Sequence, residues 1–165
     1  MFRLGIVGHR FFPNRKTLLF VREQCCAILK RAQAEHGAVV AVSAIAEGAD
    51  TLFAEAALSL DVPLEVVRPF ENYADDFENE SALKRYQNLQ QAADKESSLD
   101  YVRRSDSAYQ AAMDWIINHS DLVVVVWNGQ PGSGMAGTGN AVTRVISESR
   151  PWVHVDVQNL LVTYH

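Results

Sequence analysis

Asp121-Leu-Val-Val-Val-Val-Trp127 runs into Asn128-Gly129-Gln130-Pro131-Gly132-Ser133-Gly134-Met135-Ala136-Gly137-Thr138-Gly139-Asn140. The apolar run is β-branched and unbroken, as expected of a parallel strand buried on both faces. Five glycines follow within eleven residues. After them Ala141, Val142, Val145 and Ile146 return at helical spacing. A hairpin does not need so many glycines, whereas a strand–loop–helix unit that wraps backbone N–H groups around an anion does. Gly134, Gly137 and Gly139 are the candidate backbone donors. Thr138 adds a hydroxyl at the helix start, and Asn128 and Asn140 flank the loop. Trp127, closing the strand, either stacks on a base or packs in the core.

The same alternation runs upstream. Residues 3–8 form a short β-rich segment, and residues 16–36 carry apolar positions at helical spacing up to Gly37. Ala38-Val-Val-Ala-Val-Ser43 is a second buried strand, and Leu52, Phe53, Ala56, Ala57 and Leu60 form a second helical stripe. A third strand covers residues 64–68, a helix capped by Ser105 or Asp106 follows later, and residues 152–155 form the last strand. Residues 71–104 are polar, and are expected to form a helix near 79–91 and then an irregular loop. The expectation is one α/β domain over residues 1–165. It is Rossmann-like and doubly wound, with a parallel sheet of about five strands in the order 3-2-1-4-5, helices on both faces and a polar insertion at 71–104. Ligands in such sheets bind at the carboxyl edge, where the strand order reverses.

Two further loops leave carboxyl strand ends. Gly8-His9-Arg10 combines a residue that permits close backbone approach with a forked cation suited to phosphate or carboxylate; a plain turn with a surface arginine is the alternative. Ser43-Ala-Ile-Ala-Glu47-Gly48-Ala-Asp50 enters a helix, so its free N–H groups can face an anion. There Glu47 either holds a ribose hydroxyl or is solvated, and Asp50 either does the same or complements the helix dipole.

A hydrophobic fraction of 48% with 21% charged residues excludes a largely disordered chain. The net charge of −5 argues against nucleic acid as a partner, because the chain as a whole repels a phosphate backbone. The longest apolar run, Leu122 to Trp127, is too short for a bilayer, and no membrane association is expected. The adjacent Cys25 and Cys26 read as reduced thiols of a cytoplasmic protein. The five histidines lack metal spacing, and no metal is expected.

Together Gly8-His9-Arg10, the Ser43–Asp50 loop, the Ser120–Gly129 strand and Gly137-Thr138-Gly139 resemble the SLOG superfamily. That group takes in the DNA-processing protein A Rossmann domain and the Lonely Guy cytokinin-activating proteins. The resemblance implies a pocket for a nucleotide or nucleotide-derived ligand and a tendency to form homo-oligomers; it names no particular cofactor. The family's Gly-Gly-Ala-x-Gly-Ala-Asp loop maps onto Ala44 to Asp50, and its Gly-Gly-Thr onto Met135 to Thr138, with Ala136 and Gly137 at the glycine positions. Lonely Guy enzymes follow that loop closely with a catalytic Glu. Here Gly-Thr-Gly-Asn follows, and the next Glu is Glu148, more than two helical turns further on.

The first expectation for function is therefore a sensor or binding module for a nucleotide-like small molecule. The alternatives are a hydrolase of an N-glycosidic bond, with Glu47 as its acid, and a non-catalytic interaction domain with a degenerate pocket. The expected ligand-binding set is Gly8, His9, Arg10, Ser43, Glu47, Gly48, Asp50, Trp127, Asn128, Gly134, Gly137, Thr138, Gly139 and Asn140.

Overall fold

The computed structural model describes residues 1–132 and 137–165. In chain order the elements are β1 (Phe2–Gly8), α1 (Arg15–His36), β2 (Val39–Ser43), α2 (Ala49–Ser59), β3 (Leu64–Arg68), a short 3-10 helix (Tyr73–Asp76), α3 (Glu80–Ala92), β4 (Lys95–Ser98), α4 (Asp106–Asn118), β5 (Leu122–Trp127), α5 (Thr138–Ser147), β6 (Trp152–Asp156) and β7 (Leu161–Tyr164).

The strands form one sheet in the order β4-β3-β2-β1-β5-β6-β7. The expected sheet of about five strands in the order 3-2-1-4-5 is thus corrected: the described residues form seven strands, with an added strand at each edge. The pairs from β4 through to β6 are parallel, and β6 with β7 is antiparallel. Neither edge strand shows the apolar run that marks the inner ones. β4 is Lys-Glu-Ser-Ser, in the stretch expected to be an irregular loop, and a buried carboxylate explains its position. Glu65 in β3 is 2% exposed, and receives Arg3 at 2.7 Å, Lys95 at 3.1 Å and the Ser97 hydroxyl at 3.1 Å. Burying that charge needs partners, and β4 brings two of them.

The inner strands are apolar throughout because both faces are covered. Leu4 and Ile6 of β1, with Val124 and Val126 of β5, pack beneath α1, α2 and α3 alongside Val21, Leu29 and Phe53. Val7, Val123 and Val125 face the other way, against α4 and α5 through Ile116, Ile117 and Val145. The free thiols of Cys25 and Cys26 lie on α1, Cys25 buried and Cys26 partly so. Among the described residues, no helix is long and apolar enough to cross a membrane.

From β1 the chain winds outward through β2 and β3 to β4, then returns to lay β5 on the opposite side of β1. The reversal therefore lies between β1 and β5, whose ends are level, Gly8 standing opposite Val126.

Candidate functional site

The loops after β1, β2 and β5 meet above that reversal, and glycine lets them. A Cβ on Gly8 would lie 2.7 Å from the Cβ atoms of both Ala49 and Val126. Gly48 has φ of +87°, and a Cβ there would sit 2.3 Å from the Arg10 carbonyl oxygen. The space saved lets the Ala49 amide donate to the His9 carbonyl at 3.0 Å, while the His9 amide donates to Val126 at 3.1 Å. The first two loops are therefore locked backbone to backbone.

His9 joins them to the third. The Asn128 amide donates to His9 Nε2 at 3.0 Å, so that nitrogen carries no proton. The proton then sits on Nδ1, which faces Thr138 Oγ1 at 3.4 Å. Burial pushes the imidazole pKa below its ordinary value. A neutral His9 thus positions both ends of the glycine-rich loop.

At the start of α5, Gly137 provides no side-chain cap. The first turn lies close to the incoming loop: a Cβ on Gly139 would be 2.4 Å from the Gly132 amide nitrogen. The Asn140 amide donates to Gly137 at 3.0 Å. Gly8, His9, Arg10, Asn128, Gly132 and Thr138 line a cradle of about 340 Å³ around this helix start. Gly134 lies outside the described residues.

Beneath the cradle is an inner cavity of about 100 Å³, and Gly8, Arg10 and Thr138 line both. Ile6, Val7, Met113 and Ile116 give it apolar walls, while Asp50, Tyr73 and Tyr109 add polar groups. Asp50, in the first turn of α2, is 7% exposed, and its Oδ2 accepts from the Ala46 amide at 3.4 Å. Desolvation raises its pKa to about 7, against the smaller opposing pulls of that amide and Arg10. Arg10 lies 5.1 Å over the Tyr109 ring and 4.0 Å from Asp76, which also meets Arg104 at 3.6 Å and accepts from the Tyr109 hydroxyl.

Three expected site residues do other work. Ser43 is fully buried; its hydroxyl donates to the Asp50 carbonyl at 3.2 Å and accepts from Ile45 at 2.9 Å, which shapes the turn. The indole N–H of Trp127 donates to the Gln130 carbonyl at 2.8 Å, pinning the loop, and its ring tilts against His154. Glu47 lines neither the cradle nor the inner cavity. It belongs to a separate groove of about 690 Å³ between α1, α2 and α3, shared with Arg10, Phe11, Arg15, Arg22 and Arg85.

Reading the residues alone missed Tyr73, Asp76 and Tyr109. The first two lie in the stretch read as a polar insertion. The signal available was Phe70, Tyr73 and Phe77 at helical spacing, which are buried, with Tyr73 edge-to-face against each of the other two. Among the described residues, no cluster of three or more His, Cys, Asp or Glu side chains could hold a metal ion.

No family model matches the chain, and no curated protein is similar to it in sequence. Solved structures are similar in fold. DNA processing protein A of Streptococcus pneumoniae superimposes with a TM-score of 0.67 at 17% identity, over 93% of this chain and 50% of that one. DNA processing protein A of Helicobacter pylori, described for its single-stranded DNA binding mode, gives 0.59 at 20% identity, over 93% of this chain and 64% of that one. TM1055, a structural genomics target, gives 0.59 at 12% identity, over 92% and 72%. These likenesses bear out the fold that the resemblance implied. This chain spans half the length of the first neighbour and under two thirds of the second.

The expectation that nucleic acid is not a partner is corrected by these neighbours, since one of them is described for its single-stranded DNA binding mode. Net charge was the wrong measure, because it sums the whole chain. Four arginines, Arg10, Arg15, Arg22 and Arg85, gather around one groove with Glu47 as the acid among them.

Proposed function

We propose that this chain is a binding module for a nucleotide or nucleotide-derived ligand, held at the carboxyl edge between β1 and β5. The observation that carries the reading is the pair of adjoining spaces at the strand reversal. Gly8, Arg10 and Thr138 line both, although they come from opposite ends of the sequence. The phosphate lies at the start of α5, where uncapped N–H groups, the Thr138 hydroxyl and the Arg10 guanidinium offer donors and positive charge. The remainder of the ligand enters the inner cavity. Isothermal titration of the full chain with AMP, ADP, NAD and ADP-ribose tests this, and heats no larger than dilution for all four would refute it.

A second reading has its own observation. The groove between α1, α2 and α3 presents Arg15 and Arg22 seven residues apart on one helical face, with Phe11 78% exposed at its rim. Guanidinium groups beside an exposed aromatic ring suit single-stranded nucleic acid, whose phosphates and base faces they meet. Fluorescence anisotropy with a labelled oligonucleotide checks it. Binding that falls steeply with salt and is lost in an Arg15→Ala, Arg22→Ala double variant supports this reading; unchanged binding in that variant removes the groove from it.

A further inference from the structure

A ligand anchored in the cradle has room for one more group, inward, and the walls of the inner cavity say what that group is. A second phosphate is a poor fit, because beyond Arg10 and Thr138, which the cavity shares with the cradle, its polar groups are a carboxyl and two phenols in an apolar setting. Two parts of a nucleotide remain. A ribose diol is best held by an ionised carboxylate that accepts from both hydroxyls. A nucleobase edge sets a donor beside an acceptor, which matches a carboxyl that keeps its proton.

The surroundings of Asp50 favour the second match. Among the described residues it has no ion pair, and Arg10 is engaged over Tyr109 and beside Asp76. Burial raises the Asp50 pKa to about 7, so it holds its proton through most of the acidic range. The other titratable or charged groups that face it are Cys25 of α1, Arg10 of the β1 loop, Tyr73 of the 3-10 helix and Tyr109 of α4, with Asp76 and Arg104 further out beside Arg10. Burial raises Cys25 and Tyr109 to about 12 each and Tyr73 well above its ordinary value, so none of these three titrates near neutrality. The Met113 thioether and the tyrosine rings are good neighbours for a flat aromatic group.

We propose that the inner cavity is a nucleobase pocket, in which the Asp50 carboxyl hydrogen-bonds the base edge while the phosphate sits at the start of α5. This rests on the nucleotide-binding reading above. It makes Asp50 a specificity residue.

The test is isothermal titration of the full chain and of Asp50→Asn with AMP, GMP, CMP, UMP and ribose 5-phosphate, near pH 6 and near pH 8. The change in phosphate ionisation between those conditions is common to all five ligands and cancels in the comparison. At least one nucleotide should bind the parent about tenfold or more tighter than ribose 5-phosphate near pH 6, because its base fills the pocket and pairs with the carboxyl. That advantage should shrink by up to about tenfold near pH 8 as the carboxyl ionises. Asp50→Asn, with an amide donor and acceptor in the same place, should keep the advantage and lose its pH dependence.

Equal affinity for ribose 5-phosphate and every nucleotide would overturn the base pocket and leave the anion cradle standing. Equal weakening of ribose 5-phosphate and nucleotides by Asp50→Asn would overturn it in favour of a ribose contact. Failure of all five ligands to bind the parent would overturn both the pocket and the reading beneath it.

Discussion

His9 and Asn128 are joined by a hydrogen bond from the backbone amide of one to the ring Nε2 of the other, 3.0 Å long across 119 residues of sequence. That bond requires an unprotonated Nε2. Because the folded-state pKa of His9 is lowered by burial, the unfolded chain takes up the proton first as pH falls. The stabilisation is therefore full above about pH 6.5, the ordinary histidine value, and is lost as pH drops through the folded-state value. His9→Phe, which leaves the Asn128 amide without its acceptor, should cost about 1–2 kcal/mol at neutral pH and less in acid. Urea denaturation of parent and variant across that range measures it; a cost that grows in acid would refute the assignment.

Arg10 and Thr138 carry the charge and the hydroxyl of the cradle. Arg10→Ala should weaken nucleotide binding by about ten- to a hundred-fold, the worth of a charge-assisted contact. Arg10→Lys keeps the charge but loses the flat fork over Tyr109, and should fall between the two. Thr138→Val should weaken binding by only a few-fold, roughly the 0.5–1.5 kcal/mol of one neutral hydrogen bond. Calorimetric titrations beside melting curves separate these losses from unfolding. Arg10→Ala should lower stability slightly, about 0.5–1 kcal/mol, since it removes the cation over the Tyr109 ring.

Asp50 should also make folding depend on pH, in the opposite sense to His9. Its folded-state pKa of about 7 lies above the ordinary 3.8, so the native chain holds the proton longer than the unfolded one. Stability is lost as pH rises from about 4 to 7, and is level beyond. Relative to the parent, Asp50→Asn should gain about 2–3 kcal/mol between pH 5 and pH 8. Chemical denaturation at those two pH values decides it; a constant difference would mean that Asp50 is ionised throughout.

Gly48→Ala should be severely destabilising, by more than about 3 kcal/mol, since a Cβ both strains the φ of +87° and collides with the Arg10 carbonyl. A melting temperature within a few degrees of the parent's would show that the first two loops are not locked as described.

Much of this arrangement was legible from residues because burial on both faces writes itself as unbroken apolar runs. Leu122 to Trp127 and Val39 to Ser43 are strands for that reason. β4 left no such trace, since Lys95 and Ser97 are specified by a single carboxylate thirty or so residues away. In the site, glycine spacing pointed to the loops but not to which side chains face inward. Ser43 and Trp127 are polar or aromatic at the right strand ends, yet their polar atoms are consumed by the turns they hold. Tyr109 was hidden for the converse reason: on an amphipathic helix it reads as core, and only the approach of Asp76 and Arg10 makes it part of a wall.

The pairing of β1 with β5 also bears on how the molecule is made. β1 leaves the ribosome before both of its partners and can find β2 within about forty residues, but its other neighbour is more than a hundred residues away. Until β5 emerges, Leu4, Ile6 and Val7 stand at an open sheet edge, with the glycine at residue 8 beside nothing. Closing so long a loop is the entropically dearest step of the topology, and contacts of that separation form slowly. The crevice therefore cannot exist until β5 has been made, and a nascent chain stopped before residue 121 is a sheet with a sticky, unguarded edge.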